Sequence, residues 1–188
     1  MLMQESDIIN IIDKFYASGT PLRDLLIRHS AAVAEKALRV AQKVSCLAPD
    51  LDFIYEAALL HDIGIFYTRA PAIGCHGDYP YVCHGYLGRR LLDDLGLPRH
   101  GLVCERHVGA GLSLAEIRAH GLPVPERDMI PESIEEQIVC FADKFFSKKK
   151  DAPDAELPLD AVMRKIESYG PTQAARFQAW VGMFENNL

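Results

Sequence analysis

The stretch that decides the fold is Ala57-Ala58-Leu59-Leu60-His61-Asp62-Ile63-Gly64. Four apolar residues lead directly into an imidazole and a carboxylate, so this stretch predicts a helix that delivers two metal ligands to the protein interior. A buried carboxylate without a partner is costly, and a cation is a common way to make its burial tolerable. His61 and Asp62 are therefore candidate metal ligands.

Other histidine and aspartate residues stand in similar apolar or glycine-containing helical contexts. His29 lies on the apolar stripe of an upstream helix, and Asp143 lies within the run Cys140-Phe141-Ala142-Asp143-Lys144-Phe145-Phe146. His84 and His107 come between these positions. Such a mixture of imidazoles and carboxylates favours a two-metal hydrolytic site. One metal would be held by His29, His61, Asp62 and Asp143, and a second by His84 and His107 with Asp62 shared.

Each of these residues also has an ordinary structural interpretation. A single histidine on an apolar face is often a core residue whose ring bonds a backbone carbonyl, and Asp143 alone could pair with an arginine or a lysine. The remaining histidines, His76, His100 and His120, are expected in loops or at helix ends rather than at a metal. The complete set, rather than any one member, carries the prediction of a metal site.

The hydrophobic periodicity predicts an all-α helical bundle of one domain, residues 1–188, with a core over 20–150 and a C-terminal helical extension over 158–187. Helices are expected over 5–17, from Pro21 to Val44, from Asp50 to Gly64, and over 83–95, 98–108, 112–120, 131–147, 158–168 and 171–186. Residues 65–82, which are rich in proline and glycine, predict an irregular and functional loop. The sequence contains no convincing strand or internal repeat.

The composition narrows the class of partner and the compartment. The net charge is −6 and the pI is about 5.6, which argues against a general nucleic-acid binder and a membrane-surface binder. The five cysteines form no CxxC pair, and no apolar run approaches membrane-spanning length, so a cytoplasmic protein is expected.

The basic run Lys148-Lys149-Lys150 is interpreted as a solvated helix end. The apolar stripe Phe177/Trp180/Phe184 predicts either core packing or a homodimer contact.

The order His29, His61-Asp62, Asp143 resembles the H…HD…D pattern of the HD-domain superfamily, and Ile63-Gly64 completes its HDIG variant. His84 and His107 are similar in placement to the extra histidines of its dinuclear branch. The resemblance covers roughly residues 20–150 and implies an all-α fold with metal-dependent phosphohydrolase activity on nucleotides or other phosphoesters. In many members a lysine follows HDIG and helps to hold phosphate, whereas this chain has Ile65-Phe66.

The expected function is therefore a metal-dependent phosphohydrolase acting on a small phosphorylated molecule, most simply a nucleotide. The expected cofactors are two transition-metal ions, with iron or manganese preferred over magnesium, zinc, nickel or cobalt because the ligands are rich in histidine. The candidate catalytic residues are Asp62, Arg106 and Lys144. The positively charged side chains of Arg106 and Lys144 are expected to bind phosphate, and Arg28 and Arg69 are weaker candidates for this role. Two alternatives stay open, a mixed-valent di-iron oxygenase on the same scaffold and a non-catalytic nucleotide-binding module.

Overall fold

A computed structural model describes residues 3–148 and 152–185 of the chain. In this part of the chain nine α-helices account for most residues, which confirms the predicted all-α fold. The helices are α1 (Glu5–Asp13), α2 (Pro21–Lys43), α3 (Leu51–Leu60), α4 (His84–Asp94), α5 (Pro98–Arg106), α6 (Leu114–His120), α7 (Ile134–Asp143), α8 (Leu159–Glu167) and α9 (Pro171–Phe184). Among the described residues, no helix is long and apolar enough to cross a membrane.

Side-chain caps fix where the ligand-bearing helices begin. The hydroxyl of Thr20 accepts a hydrogen bond from the backbone N–H of Arg23, and Pro21 occupies the first turn of α2. Asp50 caps α3 through the N–H of Phe53, and Ser133 caps α7 in the same way. Because these caps satisfy N–H groups that a helix start leaves free, the starts are well determined by sequence.

The core is formed where α2, α3 and α7 pack together, with α1 and α9 covering them. Ile54 of α3 and Phe141 of α7 are fully buried, and Phe141 stacks on Phe177 of α9 with the ring centroids 5.1 Å apart. Trp180 and Phe184 are also buried against this core. The C-terminal stripe is therefore packed inside the chain, which resolves the choice between core and dimer contact for these side chains.

The segment 65–82 is more regular than expected. It contains two short antiparallel strands, β1 (Arg69–Ala70) and β2 (Cys75–His76), in which Arg69 pairs with His76. The expectation that the chain has no strand was therefore wrong here. Gly74 reverses the chain between the strands with a φ of 87°, a conformation that glycine adopts at little cost. Two-residue strands carry no alternating pattern long enough to be detected in the sequence.

Candidate metal centre

The turn that follows α3 positions the central pair of side chains. The helix ends at Leu60, so His61 and Asp62 are not consecutive residues of a helix as predicted. Instead the N–H of Ile63 bonds the carbonyl oxygen of Leu60, and the N–H of Ile65 bonds that of Asp62. This tight turn brings Nε2 of His61 to 3.1 Å from Oδ2 of Asp62. Both side chains therefore point into the same cluster.

Four of the predicted ligands converge at this point. Nε2 of His29 lies 3.2 Å from Oδ2 of Asp62 and 3.1 Å from Oδ1 of Asp143. Nε2 of His61 lies 3.4 Å from the same Asp143 oxygen. One ligand atom from each of these four buried residues lies within 4.8 Å of all the others, which is compact enough for one metal ion.

The other oxygen of Asp62 faces a second group. Its Oδ1 lies 3.4 Å from Nε2 of His84 and 3.4 Å from Nε2 of His107. One ligand atom from each of these three residues also lies within 4.8 Å of the other two. Asp62 is thus the one residue shared by the two groups, with a different oxygen directed to each, as a bridging carboxylate requires.

Backbone carbonyls hold three of the histidine rings. Nδ1 of His61 lies 2.6 Å from the carbonyl oxygen of Ala58, Nδ1 of His84 lies 2.6 Å from that of Tyr81, and Nδ1 of His107 lies 2.7 Å from that of Cys104. A carbonyl oxygen can only accept a hydrogen bond, so when the ring is neutral each Nδ1 is the nitrogen that carries the proton and donates it. Each Nε2 then presents a lone pair to the centre, the arrangement usual for metal-binding histidines.

The charges of the cluster suit cation binding. Burial is the largest single influence on the pKa of Asp62 and raises it, but the charges of Lys148 and His61 and the adjacent imidazoles together hold this pKa well below its usual range, so the carboxylate is ionised. Burial also raises the pKa of Asp143, but Lys144 and Lys148 hold it well below its usual range. Burial, followed by the charge of His107, lowers the pKa of His84 to about 3. The neutral imidazole and the ionised carboxylates are the forms that bind metals.

Several buried polar atoms of the cluster are left without a well-formed hydrogen bond. Within the described residues these include Nε2 of His61 and Oδ1 of Asp62, whereas Oδ2 of Asp62, although it makes no hydrogen bond of good geometry, lies beside the ammonium group of Lys148. Nε2 of His84 lies 3.0 Å from Nε2 of His107, and both atoms present lone pairs when the rings are neutral. A cation between them would satisfy both nitrogens, because metal–imidazole bonds are about 2.0–2.1 Å long. The residues present therefore fit bound metal ions.

The cluster forms the floor of a cavity of about 950 Å³. His84, His107 and Asp143 line the floor. The walls are mainly apolar, with contributions from the 65–82 segment and from residues 108–122. A cavity of this size accepts a small organic molecule.

Two lysines stand at the floor. Nζ of Lys144 lies 2.6 Å from Oδ2 of Asp143 and donates to the carbonyl oxygen of His107 at 2.9 Å. Nζ of Lys148 lies 2.6 Å from Oδ2 of Asp62, and its side chain is only 14% exposed. The interpretation of Lys148 as part of a solvated helix end was therefore wrong, because α7 stops at Asp143 and the ammonium group of Lys148 lies beside Asp62. Lys149 and Lys150 lie outside the described residues.

The candidate arginines do not line the cavity. Arg106 makes ion pairs with Glu136 at 2.9 Å and Glu132 at 3.1 Å, whereas its neighbour His107 lines the cavity. Arg28 pairs with Asp154 at 2.8 Å near the surface, and Arg69 is exposed on β1. Adjacent residues of a helix point in directions about 100° apart, which explains why Arg106 diverges from its neighbour.

The remaining histidines lie apart from the ligand groups. Nε2 of His100 lies 3.0 Å from Oε2 of Glu56, and His76 is exposed on β2. His120 lines the outer part of the cavity. Three further cavity residues, Lys165, Tyr169 and Gln173, were not identified from the sequence. Lys165 and Gln173 come from α8 and α9, and Tyr169 comes from the turn between these helices, where the sequence offers no motif to mark them.

Comparison with known proteins identifies this arrangement. Residues 26–147 match the HD domain family, a stretch that contains both ligand groups. No solved structure matches the chain.

Three relatives are similar over most of the chain. A protein of Picrophilus torridus named tRNA (cytidine(56)-2'-O)-methyltransferase is 35% identical over 81% of this chain, and one of the same name from Thermoplasma volcanium is 32% identical over 93%. These matches span only 39% and 44% of the two relatives, so the chain corresponds to less than half of each. An uncharacterized protein of Methanocaldococcus jannaschii is 33% identical over 76% of this chain and 75% of its own length.

Proposed function

Because the chain belongs to the HD-domain family, we propose that it is a metal-dependent phosphohydrolase that cleaves a phosphoester or phosphoanhydride of a nucleotide or similar small molecule. The observation that carries this proposal is the pair of ligand groups sharing Asp62 at the floor of a cavity that also presents lysines. Cations beside a metal cluster favour an anionic substrate, and phosphate esters are the common anionic substrates of two-metal sites.

The proposed cofactors are two transition-metal ions, iron or manganese. His29, His61, Asp62 and Asp143 would hold the first, and Asp62, His84 and His107 the second. Bound ions of this kind lower the pKa of a water molecule and offset negative charge on a phosphoryl group. The imidazole-rich second group favours a transition metal over magnesium, which prefers oxygen ligands.

The protein side chains would orient the ligands and bind the substrate. Lys144 is a positioning residue, because its ammonium group joins the carboxylate of Asp143 to the backbone of His107 and so connects the two ligand groups. Lys148 lines the cavity beside Asp62, where its ammonium group can bind a phosphoryl oxygen of the substrate. Arg106 is assigned a structural role through its ion pairs with Glu132 and Glu136.

The names of the two methyltransferase relatives suggest another activity, methyl transfer to tRNA. The metal-ligand groups favour hydrolysis for this chain, because metal activation of water serves hydrolysis directly. The net charge of −6 also favours a small substrate over a nucleic acid. Incubation with tRNA and S-adenosylmethionine tests methyl transfer separately, and accumulation of methylated tRNA would overturn the proposal of hydrolysis.

The first test is metal content and turnover in the same samples. Wild-type protein is expected to contain close to two transition-metal ions per chain by elemental analysis and to release phosphate from members of a phosphoester panel. Asp62→Ala is expected to lose both metal and turnover, whereas the exposed His76→Gln serves as a control that keeps both. Wild-type protein that takes up no metal after reconstitution would refute the proposal.

The same turnover assay without oxygen distinguishes hydrolysis from the oxygenase chemistry that the same ligand set can support. Hydrolysis proceeds equally with and without oxygen, because water is the only co-substrate. Turnover that stops without oxygen and forms an oxidised product would instead assign the site to a di-iron oxygenase.

A further inference from the structure

The wall of the cavity includes residues that lie beyond the family match. The match ends at residue 147, whereas Lys148, Lys165, Tyr169 and Gln173 also line the cavity. Gln173 is held in place because its side-chain oxygen accepts a hydrogen bond from the N–H of Ala110 at 2.9 Å. The C-terminal helices α8 and α9 thus add a wall to a metal floor that the HD domain supplies.

We propose that Lys165 and Tyr169 select the substrate: Lys165 binds a second anionic group next to the scissile phosphoryl group, and Tyr169 packs against the organic part. The favoured substrate class is an organic diphosphate. The inference rests on the proposed function for the identity of the scissile group, but the binding roles of the two residues can be tested without turnover.

Lys165 differs from the two lysines of the floor in its pairing. Lys144 and Lys148 are neutralised by Asp143 and Asp62, respectively. Among the described residues, the ammonium group of Lys165 lies within 4.0 Å of no carboxylate, so its charge has no ion-pair partner in this part of the protein. A free cation that faces a cavity is suited to a charge-assisted hydrogen bond with an anionic ligand.

The charges around Lys165 also favour an anionic ligand. Partial burial and then repulsion from Lys144 lower the pKa of its ammonium group. An anionic group bound beside it would offset both effects, because an adjacent negative charge favours the protonated form of an amine. The positive charge of Lys165, which no described carboxylate offsets, therefore favours an anionic group at this position of the cavity.

Tyr169 supplies the aromatic surface at the same edge. It follows Lys165 by four residues, and its N–H bonds the carbonyl oxygen of Ile166 at 2.9 Å, which fixes the backbone just after α8. The side chain lines the cavity and the residue is 39% exposed, so its ring is accessible to a ligand. The apolar side chains of Val82, Leu112 and Leu122 line the same cavity. An aromatic or aliphatic group of the substrate can bury its surface against them.

The order of these groups gives the orientation of the substrate. The terminal phosphoryl group lies at the ligand floor, the inner phosphate lies near Lys165, and the organic group lies near Tyr169. In the hydrolysis, the oxygen of water forms a new bond to the terminal phosphorus, and the bond from this phosphorus to the bridging oxygen breaks. The bridging oxygen keeps the electron pair, and the protons of the water are shared between the two products, inorganic phosphate and an organic monophosphate.

The two roles are tested by titration calorimetry, in which the metal-loaded chain is titrated with non-hydrolysable phosphonates. Lys165→Gln is expected to weaken methylenediphosphonate binding by about tenfold, equivalent to about 1.4 kcal/mol, and to leave methylphosphonate binding within about twofold. Tyr169→Ala is expected to weaken binding of the monophenyl ester of methylenediphosphonate but not of methylenediphosphonate itself, and Tyr169→Phe is expected to retain both. Lys14 is an exposed lysine directly after α1, so Lys14→Gln is the control for the loss of one positive charge.

Each outcome is decisive. Equal losses for both phosphonates in Lys165→Gln, or no loss for either, would overturn the assignment of a second anionic subsite. An unchanged affinity for the monophenyl ester of methylenediphosphonate in Tyr169→Ala would overturn the role of Tyr169. If the probe pattern holds but no phosphoester in the panel is hydrolysed, the proposed function fails while the assignment of the two residues is supported.

Discussion

Gly64 lies so close to His84 that a Cβ atom at position 64 would be 2.3 Å from the carbonyl oxygen of His84. The same atom would lie 2.6 Å from the backbone nitrogen of Gly88, one turn further along α4. The φ of Gly64 is −84°, which any residue adopts, so the position requires a small residue rather than an unusual backbone conformation. This contact joins the turn that carries Asp62 to the helix that carries His84.

Gly64→Ala is expected to lower the free energy of unfolding by about 1–3 kcal/mol, because the added methyl group forces the turn and α4 apart. Gly182→Ala is the matched control, since a Cβ atom at this position in the last turn of α9 would meet nothing within 4 Å. That variant is expected to gain up to about 1 kcal/mol through higher helix propensity. Urea denaturation measures both changes. An unchanged free energy of unfolding in Gly64→Ala would show that the turn and α4 do not need this close approach.

His84→Gln and His107→Gln are each expected to reduce the metal content from two ions per chain towards one. Each change removes one of the two imidazoles in the second ligand group and leaves the first group complete. Elemental analysis of the purified proteins measures the stoichiometry, with His76→Gln as the control at an exposed histidine. Variants that retain two ions and the full rate of turnover would refute the assignment of the second group.

Metal binding to the first group is expected to strengthen with pH up to about pH 9. Burial opposes protonation of His61, but Asp62 and Asp143 raise its pKa to about 9, so at neutral pH a metal ion must displace a proton from this ring. The apparent affinity of this group then rises by about tenfold per pH unit below the pKa and levels off above it. His84 is already neutral, with a pKa of about 3, and releases no proton.

Calorimetric titration with Mn²⁺ in buffers of different ionisation enthalpy counts the protons released. One proton is expected for the ion at the first group and none for the ion at the second. Equal affinities at pH values of about 7 and 8.5 would contradict the protonated state assigned to His61.

Arg106→Gln is expected to reduce stability and leave the KM unchanged. Its guanidinium group bonds the buried carboxylate of Glu136, which would lose its charged partner, at a cost of about 1–3 kcal/mol. Thermal unfolding and steady-state kinetics on the same preparation separate the two effects. Arg164→Gln, which breaks an exposed pair with Asp160, provides the comparison and should change neither property. A raised KM in Arg106→Gln would restore its assignment as a substrate ligand.

Lys148→Gln is expected to raise the KM for the best phosphoester by about tenfold, because a charge-assisted hydrogen bond to the phosphoryl group becomes a neutral one. Its metal content should stay at the wild-type value, since Lys148 does not belong to either ligand group. Elemental analysis alongside kinetics makes this distinction. An unchanged KM would remove Lys148 from the substrate site.

The helices and the six candidate ligands could be predicted because their signals are local. Thr20-Pro21 and Asp50 mark helix starts through caps, and His29 lies four residues from apolar neighbours on either side. The detailed positions of His61 and Asp62 were harder to predict. Their side chains converge because α3 ends at Leu60 in a tight turn, and the exact last residue of a helix depends on tertiary packing as well as local sequence.

The cavity wall could not be predicted in the same way. Lys148 reaches Asp62 across 86 positions of sequence, and Lys165 and Tyr169 reach the cavity only because α8 packs beside it. Nothing in the local sequence distinguishes such a lysine from a solvated one. Arg106 shows the opposite error, since adjacency to His107 in sequence does not place both side chains on one side of a helix.

The carbonyl groups that orient His61, His84 and His107 have an evolutionary consequence. Each acceptor lies three residues before its histidine, at Ala58, Tyr81 and Cys104, and is a main-chain atom. Every amino acid supplies that oxygen, so point mutations at these three positions leave the hydrogen-bond acceptor in place as long as the helix ends keep their shape. The neighbourhood of the centre can therefore diversify in sequence while the three imidazoles keep the same nitrogen turned inward.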